Sequence, residues 1–244
     1  FVADCPPHLA RYALAMSGYP LRYQANGTYA SVMVHEAMRR GQVGQSQIEV
    51  FSGLNGHTDV EDFARMVHEI QASRLAGVMF FYGSAPYAET PAGDGSLPRV
   101  ALHPRWAREP IVAVDMASLI RRAVQYLAGQ GRRRIATLGL GLPPECEQTL
   151  SGALREHGCT TRPHWNLRCH PQLPAGVRNP VHLLMAERPE GLIVLDDVFA
   201  GNAVLGVLDA GARVGEDVHV VAHRNFPWLG EASLPVTRIG FSVP

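Results

Sequence analysis

The chain has 244 residues, and its 22 basic side chains, all arginine, balance 22 acidic ones, so the formal net charge is zero. A hydrophobic fraction of 46% predicts a globular chain with a substantial core rather than a disordered one. No apolar run approaches the roughly 20 residues that cross a bilayer, and a neutral chain lacks the basic excess of a nucleic-acid-binding module. We therefore expect a cytoplasmic chain without a membrane span that does not bind DNA by itself.

Helix and strand patterns alternate through the first half of the chain. Thr28 can cap a helix that ends near Gly41, and Thr58-Asp59-Val60-Glu61 is a capping box that opens a second helix. The predicted strands are residues 48–51, 77–82, 100–102 and 111–114, and residues 83–98 are predicted to form a loop. Before Thr28, the sequence does not predict where a first strand lies.

The same alternation continues in the second half of the chain. The predicted strands are residues 135–138, 192–195 and 218–222. The predicted helices are residues 120–127, a helix from Pro143-Pro144 to Gly158, and residues 203–208 closed by Gly211. Repeated strand–helix–strand units predict parallel sheets flanked by helices, and such sheets bind ligands at the carboxyl ends of their strands.

Two carboxylates, Asp196 and Asp197, follow one of these apolar strands and precede a helix. This position places them at the expected ligand-binding edge, where Asp197 can accept hydrogen bonds from the hydroxyl groups of a sugar. The alternative is that one of the two caps the helix that follows. The pattern alone leaves both roles open.

No residue pattern predicts catalysis, and we expect neither an enzyme nor a bound cofactor. Gly139-Leu140-Gly141 follows a strand, but the third glycine of a dinucleotide-binding loop is missing. A phosphate-binding P-loop requires lysine, which the chain lacks, and no G-x-S-x-G motif presents a nucleophilic serine.

Two further clusters of polar residues have ordinary structural explanations. Two cysteines and two histidines that could bind zinc lie close in the sequence: Cys159, His164, Cys169 and His170. Their spacing fits no compact zinc-binding motif, so no metal is expected. The run Arg132-Arg133-Arg134 follows Gly131 and is typical of a solvated turn between a helix and a strand.

Three segments carry motifs that occur together, and in this order, in one protein family. The first joins Val114-Asp115, a helix at 123–127 and Gly131-Arg132-Arg133-Arg134-Ile135-Ala136. The second is Leu195-Asp196-Asp197-Val198-Phe199-Ala200, and the third is residues 211–221. They resemble V-x-x-D followed by G-H-R-R-I-A, then N-D-x-x-A, then G-x-x-V-P-x-D-V-x-V-V-G, of lactose-repressor/galactose-repressor-type transcription regulators.

The resemblance implies an α/β, two-lobed periplasmic-binding-protein-like (type I) fold, in which each lobe is a parallel sheet flanked by helices. Residues 1–113 and 224–244 would form the N-terminal lobe and residues 114–223 the C-terminal lobe. No DNA-binding head is visible in this chain. The implied function is effector sensing in a homodimer: a sugar-like small molecule binds between the lobes, and their closure is transmitted to an upstream helix-turn-helix that binds operator DNA.

The strand ends and the resemblance together give a set of predicted ligand contacts. Asp197 is expected to bind the effector, and aromatic side chains near the binding edge are expected to stack on it. These aromatics are Tyr29, Tyr82, Phe199 and Trp228, and the remaining predicted contacts are Ser84 and Asn225. The alternative for each aromatic is ordinary packing within a lobe.

The sequence also departs from the family's pattern, and a second function fits the same fold. Thr149 stands where the family has an arginine that grips ligand hydroxyls, Asn225 replaces a frequent aspartate, and Ala222 replaces a glycine. The alternative function is a periplasmic sugar-binding protein of a transport system, and the absence of a visible secretion signal favours the regulator.

Overall fold

The computed structural model describes residues 10–17, 29–43, 46–54, 61–81, 83–93, 97–102, 107–169, 173–224 and 234–241. The chain divides into two compact units, Phe1–Val114 and Asp115–Pro244. Each unit contains a parallel sheet with helices, as the alternating pattern predicts.

The sheet of the first unit has the strand order β2-β1-β3-β4 among the described residues. The strands are β1 (Arg11–Ser17), β2 (Gln47–Leu54), β3 (Gly77–Phe80) and β4 (Arg99–Ala101), and the helices are α1 (Tyr29–Val43) and α2 (Glu61–Gln71). The central strand β1 is apolar on both faces because both are covered. Ala13 and Ala15 are buried in one core cluster, and Leu14 and Met16 in another.

The sheet of the second unit has the strand order β6-β5-β7-β8-β9, again with parallel pairing throughout. The strands are β5 (Ile135–Gly139), β6 (Asn166–Arg168), β7 (Gly191–Val194), β8 (His219–His223) and β9 (Thr237–Ile239). The helices are α3 (Met116–Gly129), α4 (Pro144–Glu156), α5 (Arg178–Met185) and α6 (Ala200–Asp209). This sheet positions the candidate site described below.

The core of the second unit lies on both faces of this sheet, and β5 and β7 are buried at every position. One core cluster packs β5, β7 and β8 against α5 and α6, and the other packs the opposite face against α3 and α4. Each fully buried Val, Leu or Ile contributes about 1.5–3 kcal/mol, so these two strands form the stable centre of the unit. The contact with α3 is close, since a Cβ on Gly191 would lie 2.8 Å from Cδ1 of Leu127.

The C-terminal segment differs from the expectation that residues 224–244 rejoin the N-terminal lobe. Residues 237–239 form β9, which pairs in parallel with β8, and the Arg224 N–H donates to the Ile239 carbonyl oxygen at 3.0 Å. Pairing with β9 satisfies backbone groups that β8 would otherwise expose at the edge of the sheet. The described part of this segment therefore belongs to the second unit.

Several elements also differ locally from the sequence prediction. Helix α1 continues through Gly41 to Val43. Of the predicted strand 111–114, Ile111 alone pairs, in an isolated bridge with Ala101. The sequence did not predict β1, β6, β9 or α5. Strand β6 has only three residues, and α5 has eight residues including a proline, so neither gives a strong periodic signal. Among the described residues, the helices are too short or too polar to cross a membrane.

Candidate functional site

The carboxyl edge of the second sheet collects ionisable residues from the end of β8 and from the loops after β7 and β8. Strand β7 is entirely apolar, and after the buried Leu195 the chain leaves the sheet through Asp196. A short 3-10 turn, Asp197–Phe199, then leads into α6. Because the strands are parallel, the loops after β5 and β8 reach the same edge.

Asp196 connects the end of β7 to the loop after β5. Its Oδ2 accepts a hydrogen bond from the backbone N–H of Leu140 at 2.9 Å. It makes no side-chain capping bond at the start of the 3-10 turn, so helix capping does not explain this residue. Burial raises the pKa of Asp196, although the Leu140 N–H and the charge of His223 favour the ionised form.

Asp197 is the next residue, and its carboxylate lies in an environment that opposes ionisation. Burial raises the pKa of Asp197 to about 6. The positive charges of His223 and Arg224 lower it against this effect, and the neighbouring Asp196 raises it further. Asp197 is still partly exposed as a residue, and an ionised carboxylate acts as a hydrogen-bond acceptor.

His223 is the last residue of β8 and Arg224 follows it at the same edge, and both are buried. Nδ1 of His223 lies 3.0 Å from the carbonyl oxygen of Leu195 on the neighbouring strand. Since a carbonyl oxygen can only accept, Nδ1 carries the hydrogen in this bond. Burial lowers the pKa of the Arg224 guanidinium, and the carboxylate of Asp197 acts in the opposite direction. The edge thus holds two carboxylates beside two basic groups.

The predicted ligand contacts of the second unit have different locations in the structure. Asp197 lies at the edge, as expected, but Phe199 is completely buried in the core cluster formed with α5 and α6. Phe199 therefore has no surface on which a ligand can stack, in agreement with the packing alternative. Asn225 and Trp228 lie outside the described residues.

The predicted contacts of the first unit are more limited. Ser84 is buried, and it is held by Glu109: its N–H donates to Oε1 at 2.9 Å, and its hydroxyl donates to Oε2. Both polar groups of Ser84 are therefore already bonded within this unit. Only the backbone of Tyr29 is described, at the start of α1, and Tyr82 lies outside the described residues.

The sequence did not single out His223 and Arg224 as site residues. The available signal was their position, because two basic residues directly follow the apolar strand 218–222 at the carboxyl edge of a parallel sheet. The cross-strand bond from Leu140 to Asp196 gave no local signal, since it joins residues 56 positions apart.

The cysteine and histidine residues considered for a zinc site do not form a cluster in the part of the chain that the structure describes. No group of three or more His, Cys, Asp or Glu side chains there lies close enough to hold a metal ion. Cys159 is buried, and Nε2 of His164 lies 2.8 Å from Oε1 of Glu187. Burial raises the pKa of the Cys169 thiol, which disfavours the thiolate. His170 lies outside the described residues.

The three consecutive arginines lie in a turn between α3 and β5, and the carboxylate of Glu190 holds this turn in place. The backbone N–H groups of Arg133 and Arg134 both donate to Oε2 of Glu190, at 2.7 and 3.1 Å. Nη2 of Arg132 lies 3.0 Å from Nε2 of His219. Arg133 and Arg134 are exposed, so this segment is the solvated turn that the sequence predicts.

Comparison with known proteins gives one match to a family model and many matches to solved structures. A family model described as a periplasmic binding protein-like domain matches residues 124–243. No curated protein matches the chain in sequence. Many solved structures do match in fold.

Three of these solved structures illustrate the likeness. A LacI family transcriptional regulator from Bifidobacterium animalis subsp. lactis has a TM-score of 0.69 and 18% identity, covering 95% of this chain and 83% of the other. A LacI family regulator from Arthrobacter sp. FB24, in complex with lactose, has a TM-score of 0.68 and 19% identity, with the same coverages. The transcriptional regulator CelR, in complex with cellobiose, has a TM-score of 0.66 and 20% identity, covering 88% and 67%.

These findings confirm the fold that the resemblance of the sequence motifs implies. At 18–20% identity the solved structures establish the fold, and the family model matches residues 124–243, which include most of the second unit and most of the motif residues. This chain therefore has the α/β fold of LacI-family transcriptional regulators, and residues 124–243 match the periplasmic binding protein-like domain.

Proposed function

We propose that this chain is the effector-sensing domain of a transcription regulator and that it binds a small sugar-like molecule at the carboxyl edge of the second sheet. The observation that carries this proposal is the environment of Asp197. Its carboxylate is desolvated although the residue is partly exposed, and it lies beside Asp196, His223 and Arg224. A desolvated acceptor binds a hydroxyl group more strongly than one in bulk water does.

The comparisons support the same class of ligand and the same kind of protein. The CelR structure contains cellobiose, and the Arthrobacter regulator contains lactose. Both have this fold, and both are regulators rather than enzymes. Sugars present many hydroxyl groups to acceptors such as the Asp197 carboxylate.

The remaining parts of the proposal concern transmission and assembly. The chain would act in the cytoplasm as a homodimer and would reach operator DNA through an upstream helix-turn-helix domain. Effector binding must favour one closure state of the lobes over another, because a ligand with equal affinity for both transmits nothing. No membrane partner and no cofactor are proposed.

A thermal-shift screen tests the proposed function directly. The chain would be heated with a panel that includes cellobiose, lactose and their monosaccharides, with nucleosides as a matched set of polar non-sugar compounds. A specific ligand present at 100 times its Kd adds about 2.7 kcal/mol of stability, which raises Tm measurably. Stabilisation by one sugar and by no nucleoside supports the proposal. A panel in which no sugar raises Tm contradicts it.

A further inference from the structure

Asp196 and Asp197 are adjacent acidic residues at the same edge, yet the structure gives their carboxylates different surroundings. The Asp196 carboxylate accepts a hydrogen bond from the backbone N–H of Leu140, in the loop that follows β5. Asp197 lies one residue further, in the turn that leads into α6. The two aspartates therefore have separable roles.

The Asp196 bond extends the backbone ladder between β5 and β7. The last residue pair of the ladder is Leu138 with Val194, and the Leu195 N–H then donates to the Leu138 carbonyl oxygen at 2.8 Å. Beyond that point the backbones part, and the Asp196 side chain takes the next donor, the N–H of Leu140. The loop that joins β5 to α4 is thereby attached to the end of β7.

Gly139 leaves room for this contact. A Cβ at position 139 would lie 2.9 Å from Oδ2 of Asp196 and 3.2 Å from Cβ of Leu195. Real side chains essentially never approach that closely, so a residue larger than glycine would displace the carboxylate from Leu140. The glycine that the sequence offered as part of a nucleotide loop thus has a different use here.

The opposite side of the same segment is also fastened. Nδ1 of His223, at the end of β8, donates to the carbonyl oxygen of Leu195. Residues 195–196 are therefore held by β8 on one side and by the β5 loop on the other, directly before Asp197.

We infer that Asp196 is a positioning residue: it fixes the β5–α4 loop against β7 and so sets the place of Asp197, while Asp197 binds the effector. The structural part of this inference depends on the bond to Leu140, and the functional part rests on the proposed function. The bond needs an acceptor and not a charge, because the backbone N–H is neutral. An asparagine at position 196 keeps an acceptor oxygen, whereas an alanine does not.

The test compares Asp196→Asn, Asp196→Ala and Gly139→Ala in the complete chain, with Asp197→Asn as the contrasting variant. Amide hydrogen exchange over residues 139–142 reports the Leu140 bond without any ligand, and calorimetry with cellobiose and lactose reports binding. We expect Asp196→Ala and Gly139→Ala to accelerate exchange at Leu140 at least about tenfold, while Asp196→Asn leaves it near the parent rate. Asp197→Asn should weaken sugar binding and leave exchange at Leu140 unchanged.

Each outcome decides between the roles. Unchanged Leu140 exchange in Asp196→Ala overturns the positioning role, and so does an Asp196→Asn variant that loses sugar affinity as fully as Asp196→Ala. If Asp196→Ala does not fold, Asp196→Asn and Gly139→Ala still provide both comparisons. If neither sugar binds the parent chain, the proposed function fails for these sugars, while the exchange rates still confirm or overturn the Leu140 bond.

Discussion

The imidazole of His223 is hydrogen-bonded to the carbonyl oxygen of Leu195, with 3.0 Å between Nδ1 and the oxygen. This bond joins the end of β8 to the residue that follows β7, two positions before Asp197. Because this segment is held in place, the Asp197 side chain that follows it keeps a defined position. Such a position favours binding, since little conformational entropy is lost when a ligand binds.

The first prediction concerns Asp197→Ala. We expect this change to weaken effector binding by about 1.5–3 kcal/mol, the range for a hydrogen bond to a charged group. Titration calorimetry with the sugar identified by thermal shift measures the loss. Glu156→Ala, at the exposed end of α4, is the control and should bind as the parent does. Equal affinities for Asp197→Ala and the parent, both folded, would show that Asp197 does not contact the ligand.

The second prediction concerns pH and follows from the raised pKa of Asp197, about 6 against an ordinary value of 3.8. The folded chain holds this proton more tightly than the unfolded chain, so ionisation at rising pH lowers stability. Relative to Asp197→Asn, the parent should lose about 1–3 kcal/mol of unfolding free energy between about pH 4 and pH 7. Urea unfolding at several pH values measures this difference. Parallel pH curves for the two proteins would falsify the burial effect.

The third prediction concerns Glu187, which fastens the turn 163–165 to the end of α5. Its carboxylate accepts hydrogen bonds from His164, Trp165 and Arg162, and these donors lower the pKa of Glu187 to about 2. A lowered pKa stabilises the folded chain above the ordinary value near 4.5, and this stability is lost as the pH falls toward 2.

We therefore expect Glu187→Gln to lower Tm at neutral pH and to flatten the dependence of Tm on pH between 2 and 4.5. Differential scanning calorimetry follows both quantities, and Glu156→Gln is the matched control. A Glu187→Gln variant whose Tm keeps the parent's acid dependence would contradict this role.

The fourth prediction compares the same substitution in two helices. In α6, a Cβ on Gly206 would meet the backbone oxygen of Arg178 and lie 2.9 Å from Cβ of Val181, so Gly206→Ala should destabilise by about 1–3 kcal/mol. In α4, a Cβ on Gly152 meets nothing within 4 Å, so Gly152→Ala should stabilise by about 0.5–1 kcal/mol. Chemical unfolding of both variants measures the two signs, and equal effects would refute the close packing of α5 on α6.

Much of the fold follows from local patterns that the sequence displays. The continuous apolar runs at β5 and β7 indicate strands covered on both faces, and their alternation with helices indicates parallel sheets. The same reasoning places Asp197 at the carboxyl edge, because the pair Asp196-Asp197 directly follows an apolar strand. These features depend on neighbouring residues, so the sequence by itself determines them.

Other features depend on residues far apart in the chain, and only the tertiary structure decides them. By the local pattern, Phe199 and Asp197 both lie in the segment after β7 and are both predicted ligand contacts. Packing against α5 and α6, however, buries Phe199 completely. Likewise, the pairing of β9 with β8 and the bond from Leu140 to Asp196 arise from strand register across the sheet. Burial and strand register depend on which elements pack together although they are far apart in the sequence. Local sequence patterns do not show this packing, so it is seen only in the folded chain.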